Sequence, residues 1–262
     1  MKKTFLAAAA LSCAAGTFAY DEYGTVKAKS LEADVMYTHT FVNGYYNSDG
    51  DKKDVDGSPA TMNPALQLKY GIIDGLDVEA VIPFLMTNKD AGDKSGLNKP
   101  QIDVKYLNPI GVGALVGADL PLGGKDIVGD DPALALRVGA ILSKNIDKLA
   151  LNGWLLYTRN FEDGSDEKYK AGDVLDFYIK PQYNVTDKIG PYLGIDFTKS
   201  FDSEYDGQSN DDAGYLLTLK PGLNYGINDK FVAELNVPVT VLGQNEPASV
   251  SIYVGFYSTF SL

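Results

Sequence analysis

The stretch Ala248-Ser-Val-Ser-Ile-Tyr-Val-Gly-Phe-Tyr-Ser-Thr-Phe-Ser-Leu262 decides the fold. Val250, Ile252, Val254, Phe256, Phe260 and Leu262 share one parity; Ser249, Ser251, Tyr253, Tyr257, Thr259 and Ser261 share the other, with Gly255 between. Successive side chains of an extended strand point to opposite faces, so this segment is apolar on one side and hydroxylated on the other. A strand of this kind is the unit of a transmembrane β-barrel, which meets hydrocarbon outside and water inside.

Upstream the same pattern repeats and predicts an all-β fold, a transmembrane antiparallel up-and-down barrel of about twelve strands. Leu66, Leu68, Tyr70 and Ile72 read outward, as do Val78, Ala80, Ile82 and Phe84, and then Ile102, Val104 and Tyr106. Leu136, Val138 and Ala140 follow, then Phe177 and Ile179, Leu193 and Ile195, Leu217 and Leu219, and Leu235, Val237 and Val239 on an unbroken eleventh strand. The seventh strand, near residues 149–161, is ambiguous, because Trp154 and Leu156 oppose Leu155 and Tyr157. Each run has the length a tilted membrane strand needs.

The connections sort into two sets. Residues 43–61, 87–99, 123–131, 162–172 and 200–213 are long; residues 73–75, 108–111, 144–148, 185–190 and 226–230 are short. In bacterial outer-membrane barrels the short turns face the periplasm and the long loops face outward. A soluble β-sandwich, the rival fold, also alternates but gives no reason for this sorting.

Residues 1–19 read as a signal peptide: Lys2 and Lys3, an apolar run from Phe5 too short for a membrane span, then Thr17 and Ala19 before a cleavage point. Residues 20–262 form the barrel. Cleavage removes two lysines, no acid and the one cysteine, taking the formal charge from −12 to −14. An acidic chain without a basic patch is a poor match for nucleic acid. The expected setting is the outer membrane of a Gram-negative cell, with lipid and lipopolysaccharide as partners.

Two hairpins carry a resemblance. Leu68-Lys-Tyr-Gly-Ile-Ile-Asp-Gly-Leu-Asp-Val-Glu-Ala-Val-Ile-Pro83 and Tyr225-Gly-Ile-Asn-Asp-Lys-Phe-Val-Ala-Glu-Leu-Asn-Val-Pro238 both run from a Tyr-Gly turn through an Asp to a strand ending in Ile-Pro or Val-Pro. In this they resemble the outer-membrane transporter family labelled putative MetA-pathway of phenol degradation. The resemblance implies a barrel passing small organic compounds, aromatic ones included, and brings no catalytic residues.

The inward charges are the candidate site: Lys69, Asp77, Glu79, Asp103, Lys105, Asp119, Arg137, Asp176, Lys180, Asp196, Lys220 and Glu234. Folding each hairpin about its short turn predicts Lys69 near Glu79, Lys180 near Asp196 and Lys220 near Glu234. Either these line a wet, charged passage with an acidic excess that favours cations, or they satisfy one another and fill a narrow barrel.

No enzyme, cofactor or metal site is expected. His39, the one histidine, reads outward near the rim, away from the inward acids a hydrolase would pair with it. Gly111, Gly113 and Gly117 lack the helix a dinucleotide fingerprint requires. Asp49, Asp51, Asp54 and Asp56, with the second acidic group at residues 202–212, read as solvated loop tips without EF-hand spacing. The expected activity is passive passage of small solutes; the alternative is a structural or adhesion barrel with a closed lumen and working surface loops.

Overall fold

The computed structural model describes residues 24–129, 132–165 and 168–262. The signal-peptide reading of residues 1–19 lies outside the described residues. Twelve antiparallel strands close into one barrel. They are β1 (Ser30–Tyr46), β2 (Ala60–Ile73), β3 (Leu76–Thr87), β4 (Gln101–Leu107), β5 (Val112–Asp119) and β6 (Ala135–Ile146). Then come β7 (Leu149–Asn160), β8 (Val174–Tyr183), β9 (Ile189–Ser200), β10 (Gly214–Asn228), β11 (Phe231–Asn236, resuming as Val239–Gln244) and β12 (Glu246–Ser261). Each strand pairs with its sequence neighbour, and β12 returns to β1, from Ser30 opposite Ser261 to Tyr46 opposite Glu246.

The barrel is inside out relative to a soluble protein. Val116 is 60 % exposed, Val35 59 %, Phe256 52 % and Ile252 45 %, while Lys105, Asp34, Asp77 and Gln67 are 0 % exposed. Apolar residues stand outward on every strand. A continuous apolar band of this extent far exceeds the few hundred Å² that a monomer in water tolerates. Lipid removes the conflict, because there the apolar surface meets hydrocarbon and every backbone donor but those at the turns is spent in the closed ladder. Among the described residues no helix is long and apolar enough to cross a membrane; here strands form the wall.

The short turns gather at one end. Gly75 closes the β2–β3 turn at φ 81°, where an added Cβ would strike the Leu107 carbonyl of the neighbouring turn. Asn108 closes the β4–β5 turn, its side-chain oxygen accepting from the N–H groups of Ile110 and Val112. Tyr70, Tyr183 and Tyr225, exposed at this end, supply part of an aromatic girdle. The segment before β1 folds against the same end: Val26 N–H donates to Asp77 at 3.0 Å and Ala28 N–H to Asp74 at 3.1 Å.

The long loops stand at the opposite end. The one-turn helix Lys125–Val128 packs on the short strand Ser95–Leu97. Tyr169–Lys170, Glu204–Tyr205 and Gln208–Ser209 form a separate three-stranded sheet, fastened by Lys170 to Glu204 at 2.7 Å. Several loop acids close their own turns. Asp212 accepts from the Ser203 N–H and hydroxyl, and Asp202 from the Ala213 N–H.

The structure resolves one ambiguity and corrects one expectation. The seventh strand resolves with Trp154 and Leu156 inside, 6 % and 4 % exposed, and Leu155 and Tyr157 outside. The eleventh strand is broken at residues 237–238, because Pro238 has no N–H for the ladder. Backbone bonds still flank the break, from Val237 N–H to Pro221 and from Ser251 N–H to Pro238.

Candidate functional site

Alternation on the strands sends all twelve predicted charged residues to the inner face, and their burial follows. Asp77, Glu79, Asp103, Lys105, Lys180 and Lys220 are each at most 3 % exposed, with Glu234 at 5 %. Asp119 and Asp176 are half-buried. Side chains facing a wide water column stay accessible, so burial this complete shows the adjoining interior space to be filled.

The filling is by ion pairs. Lys105 lies 2.7 Å from Glu79 and 3.9 Å from Asp77, and Gln67 donates to the other Glu79 oxygen. Arg137 meets Asp103 at 2.6 Å and Asp119 at 3.4 Å. Asp176 accepts from the Trp154 indole at 3.0 Å and from Thr198 at 3.3 Å. Breaking one such pair from one side leaves a buried charge and costs roughly 3–5 kcal/mol.

The hairpin pairing rule fails in an instructive way. Lys69 and Glu79 are register partners as expected, but the Lys69 ammonium reaches to the other neighbouring strand, 2.7 Å from Glu32 and 3.3 Å from Asp34. Lys180 pairs with Glu234 at 3.0 Å, and Lys220 with Asp196 at 2.5 Å. The predicted partners are exchanged. The cause is register and glycine: Lys220 sits opposite Gly194, two residues from Asp196, so its stem lies over a position with no side chain. Lys180 meanwhile passes over the Tyr192 ring, 4.2 Å from its centroid, to reach β11.

Gly117 does the same between β4 and β6. It is the register partner of both Asp103 and Arg137, and a Cβ there would collide with the Asp103 carboxylate. Of the three glycines that superficially suggested a nucleotide loop, Gly117 therefore makes room for a bridge across three strands.

Apolar and tyrosine residues missed as site members complete the interior. Leu115, Ile141, Trp154, Leu156 and Tyr178 form one buried cluster, and Met36, Ala65, Val81 and Tyr253 another. The inward parity of Leu115 and Ile141 was available; their apolar character argued against an aqueous wall. Glu234 is the hub of a tyrosine group. It accepts from Tyr192 and Tyr257, and Tyr257 contacts Tyr253 at 2.7 Å.

Between this filled region and the short turns lies a cavity of about 380 Å³. Lys180, Glu234 and Tyr257 meet its inner side; Ser143, Asn152, Gln182, Asn184 and Asn224 contribute to its wall. His39 is remote from it, outward and stacked 4.2 Å from Phe41. At the long-loop rim, burial alone would raise the Asp173 carboxyl. Donors from Tyr157 at 2.5 Å, Arg159 at 2.8 Å and the Asn160 N–H at 3.0 Å outweigh it and hold the group below the usual aspartate range.

With this geometry defined, comparison gives the class: an outer-membrane-type β-barrel of the channel and porin fold. The chain belongs to the family described as putative MetA-pathway of phenol degradation, whose profile matches residues 55–256. An outer membrane channel from Pseudomonas putida F1 is similar in fold, with 18 % identity, a TM-score of 0.80, and coverage of 93 % of this chain and 100 % of that one. The translocator domain of autotransporter NalP from Neisseria meningitidis gives 11 %, 0.57, 99 % and 95 %, and the NanC porin 12 %, 0.52, 88 % and 100 %. No curated protein matches the chain.

Proposed function

We propose that the protein is an outer-membrane channel passing small organic solutes, aromatic ones included, by passive diffusion, with the short turns in the periplasm and the long loops outside. The carrying observation is the combination of a lipid-facing apolar exterior with an inner face that concentrates charge. Among the described residues the inward cations Lys69, Lys105, Arg137, Lys180 and Lys220 stand against a larger set of carboxylates, Glu32, Asp34, Asp77, Glu79, Asp103, Asp119, Asp176, Asp196, Glu234 and Glu246. This acidic excess favours cations wherever water enters. Family membership and the channel fold support the reading. No catalytic role is assigned, since His39 faces outward, away from the inward acids.

A second reading, a closed structural barrel acting through its loops, is favoured by one observation: the near-complete burial of the inward ion pairs. Liposome swelling separates the two. Flux of small sugars or phenol through reconstituted protein supports the channel; no flux at any solute size, from protein that is folded and inserted, removes it. Bilayer recordings with anion preference would refute the acidic-interior argument.

A further inference from the structure

The cavity at the short-turn end has a chemistry that the filled interior lacks. Its inner charges are paired: Lys180 and Glu234 hold each other at 3.0 Å, Tyr257 donates to the remaining Glu234 oxygen, and Glu32 meets Lys69, while Asp187, Lys188, Asp229 and Lys230 line it from the exposed short turns. Between these two sets of charges the cavity offers amides and a hydroxyl from four strands, Ser143 on β6, Asn152 on β7, Gln182 on β8 with Asn184 just beyond it, and Asn224 on β10. These groups are ordered into chains. Asn224 donates to Gln182 at 2.7 Å, Gln182 to Asn184 at 2.7 Å, and Ser143 to Asn152 at 2.9 Å.

An amide carries two donors and two acceptor lone pairs, and these chains use only part of them. The Asn224 side-chain oxygen is buried with no hydrogen-bond partner. A buried carbonyl left unpaired is costly, and the Asn224 amide recovers that cost if it turns its oxygen to a ligand hydroxyl. About 380 Å³ lies within the range of small-molecule pockets, roughly 300–1,000 Å³. The amide wall mixes donors and acceptors, its inner charges are paired, the two lysines and two aspartates of the short turns balance in sign, and the hydroxyl of Tyr257, the one aromatic residue of the lining, is held by Glu234. That combination suits a molecule whose own groups both donate and accept.

We propose that this cavity is a binding site for a neutral polyhydroxylated solute, a sugar or polyol, rather than for an aromatic ring or an anion. The inference rests on the channel reading for its biological sense, since the site would be the periplasmic stage of passage.

The test uses the full chain in detergent, with D-glucose, phenol and sodium benzoate as probes in titration calorimetry, and the same protein in proteoliposomes. Glucose should bind, and Asn224→Leu and Gln182→Leu should each weaken it about three- to tenfold, the loss expected for one neutral hydrogen bond. Phenol and benzoate should show no binding that these substitutions change. Absence of glucose binding by folded protein, or glucose binding unaltered in both variants, overturns the site. The two readings fail separately: flux without glucose binding leaves the channel and removes the site, whereas binding without flux of any solute leaves the site and removes the channel. Gel mobility of unheated samples confirms that each variant is folded, and Asn224→Gln, which keeps the amide, should retain more affinity than Asn224→Leu.

Discussion

Arg137 and Asp103 sit on strands that are not neighbours, yet their side chains meet at 2.6 Å across the bare backbone of Gly117. The same arrangement recurs at other inner-face glycines. Where a strand contributes glycine, the residues on either side bridge over it. Gly194 leaves room for Lys220 and for the Tyr178 hydroxyl, and Gly222 for the Tyr192 ring.

Filling Gly117 should therefore be severe. Gly117→Val puts a branched side chain where the Asp103 carboxylate lies and separates it from Arg137. The expected loss is about 3–5 kcal/mol, the cost of leaving buried charges unpaired. Urea unfolding in lipid vesicles measures it, and Val116→Ala one residue away, on the lipid face, should lose much less.

Lys180 and Glu234 should behave as a coupled pair. Lys180→Met and Glu234→Gln each strand a charge, while the double variant strands none. The double variant should be more stable than the sum of the single losses predicts, with a coupling of about 1–3 kcal/mol. Lys180→Met combined with Asp196→Asn, the pairing that hairpin logic suggests, should show far less coupling.

Trp154 reports on the interior. It is the single tryptophan, 6 % exposed, and its ring lies 4.5 Å from that of Tyr178 inside the wall. Its fluorescence should resist quenching by brominated lipid chains, whereas a tryptophan introduced as Val116→Trp on the outer face should be quenched strongly.

Asp173 gives a pH dependence with a defined sign. Its carboxyl is held below the usual aspartate range, so the folded loop prefers the ionised form. The stabilisation is fully present above the ordinary aspartate pKa of about 3.9 and is lost as pH falls through it toward the lowered folded value. Hydrogen exchange at the Asn160 amide, which Asp173 accepts, should accelerate in that acid window beyond the intrinsic change. Asp173→Asn should abolish the difference.

Outward charges test the membrane assignment. Ile252→Arg places a guanidinium on the lipid face of β12, where a charge costs up to about 2–4 kcal/mol, the full amount applying at the bilayer midplane. Folding into vesicles should weaken by that amount. A soluble sandwich with an exposed Ile252 would tolerate the change.

Much of this architecture is legible in the sequence, because period two is a local signal and each strand carries its own copy. The phase of β2, β3, β4, β9 and β12 follows from their own alternating residues. The short and long connections then order the ends. β7 resists this reading since Gly153-Trp154-Leu155-Leu156-Tyr157 is apolar on both faces. Only its neighbours show why, with Leu115 and Ile141 forming an apolar inner patch for Trp154 and Leu156 to join. Ion-pair partners are less legible still. They depend on which strand a long side chain leans toward, and a pairwise hairpin rule ignores the second neighbour that every barrel strand has. The break at Pro238 was visible as a residue, but its effect depends on backbone pairing to both sides.

The seam between β1 and β12 joins residues two hundred or more positions apart, Ser30 to Ser261 and Tyr46 to Glu246. Bringing such distant segments together carries a large loop-closure entropy, and local contacts do nothing to offset it until the rest of the cylinder is curved into place. Until β12 arrives, the growing sheet exposes two raw margins, each able to recruit a foreign strand. Assembly is therefore committed by its last step, and whatever shelters those margins during biogenesis decides whether the polypeptide closes on itself or on a neighbour.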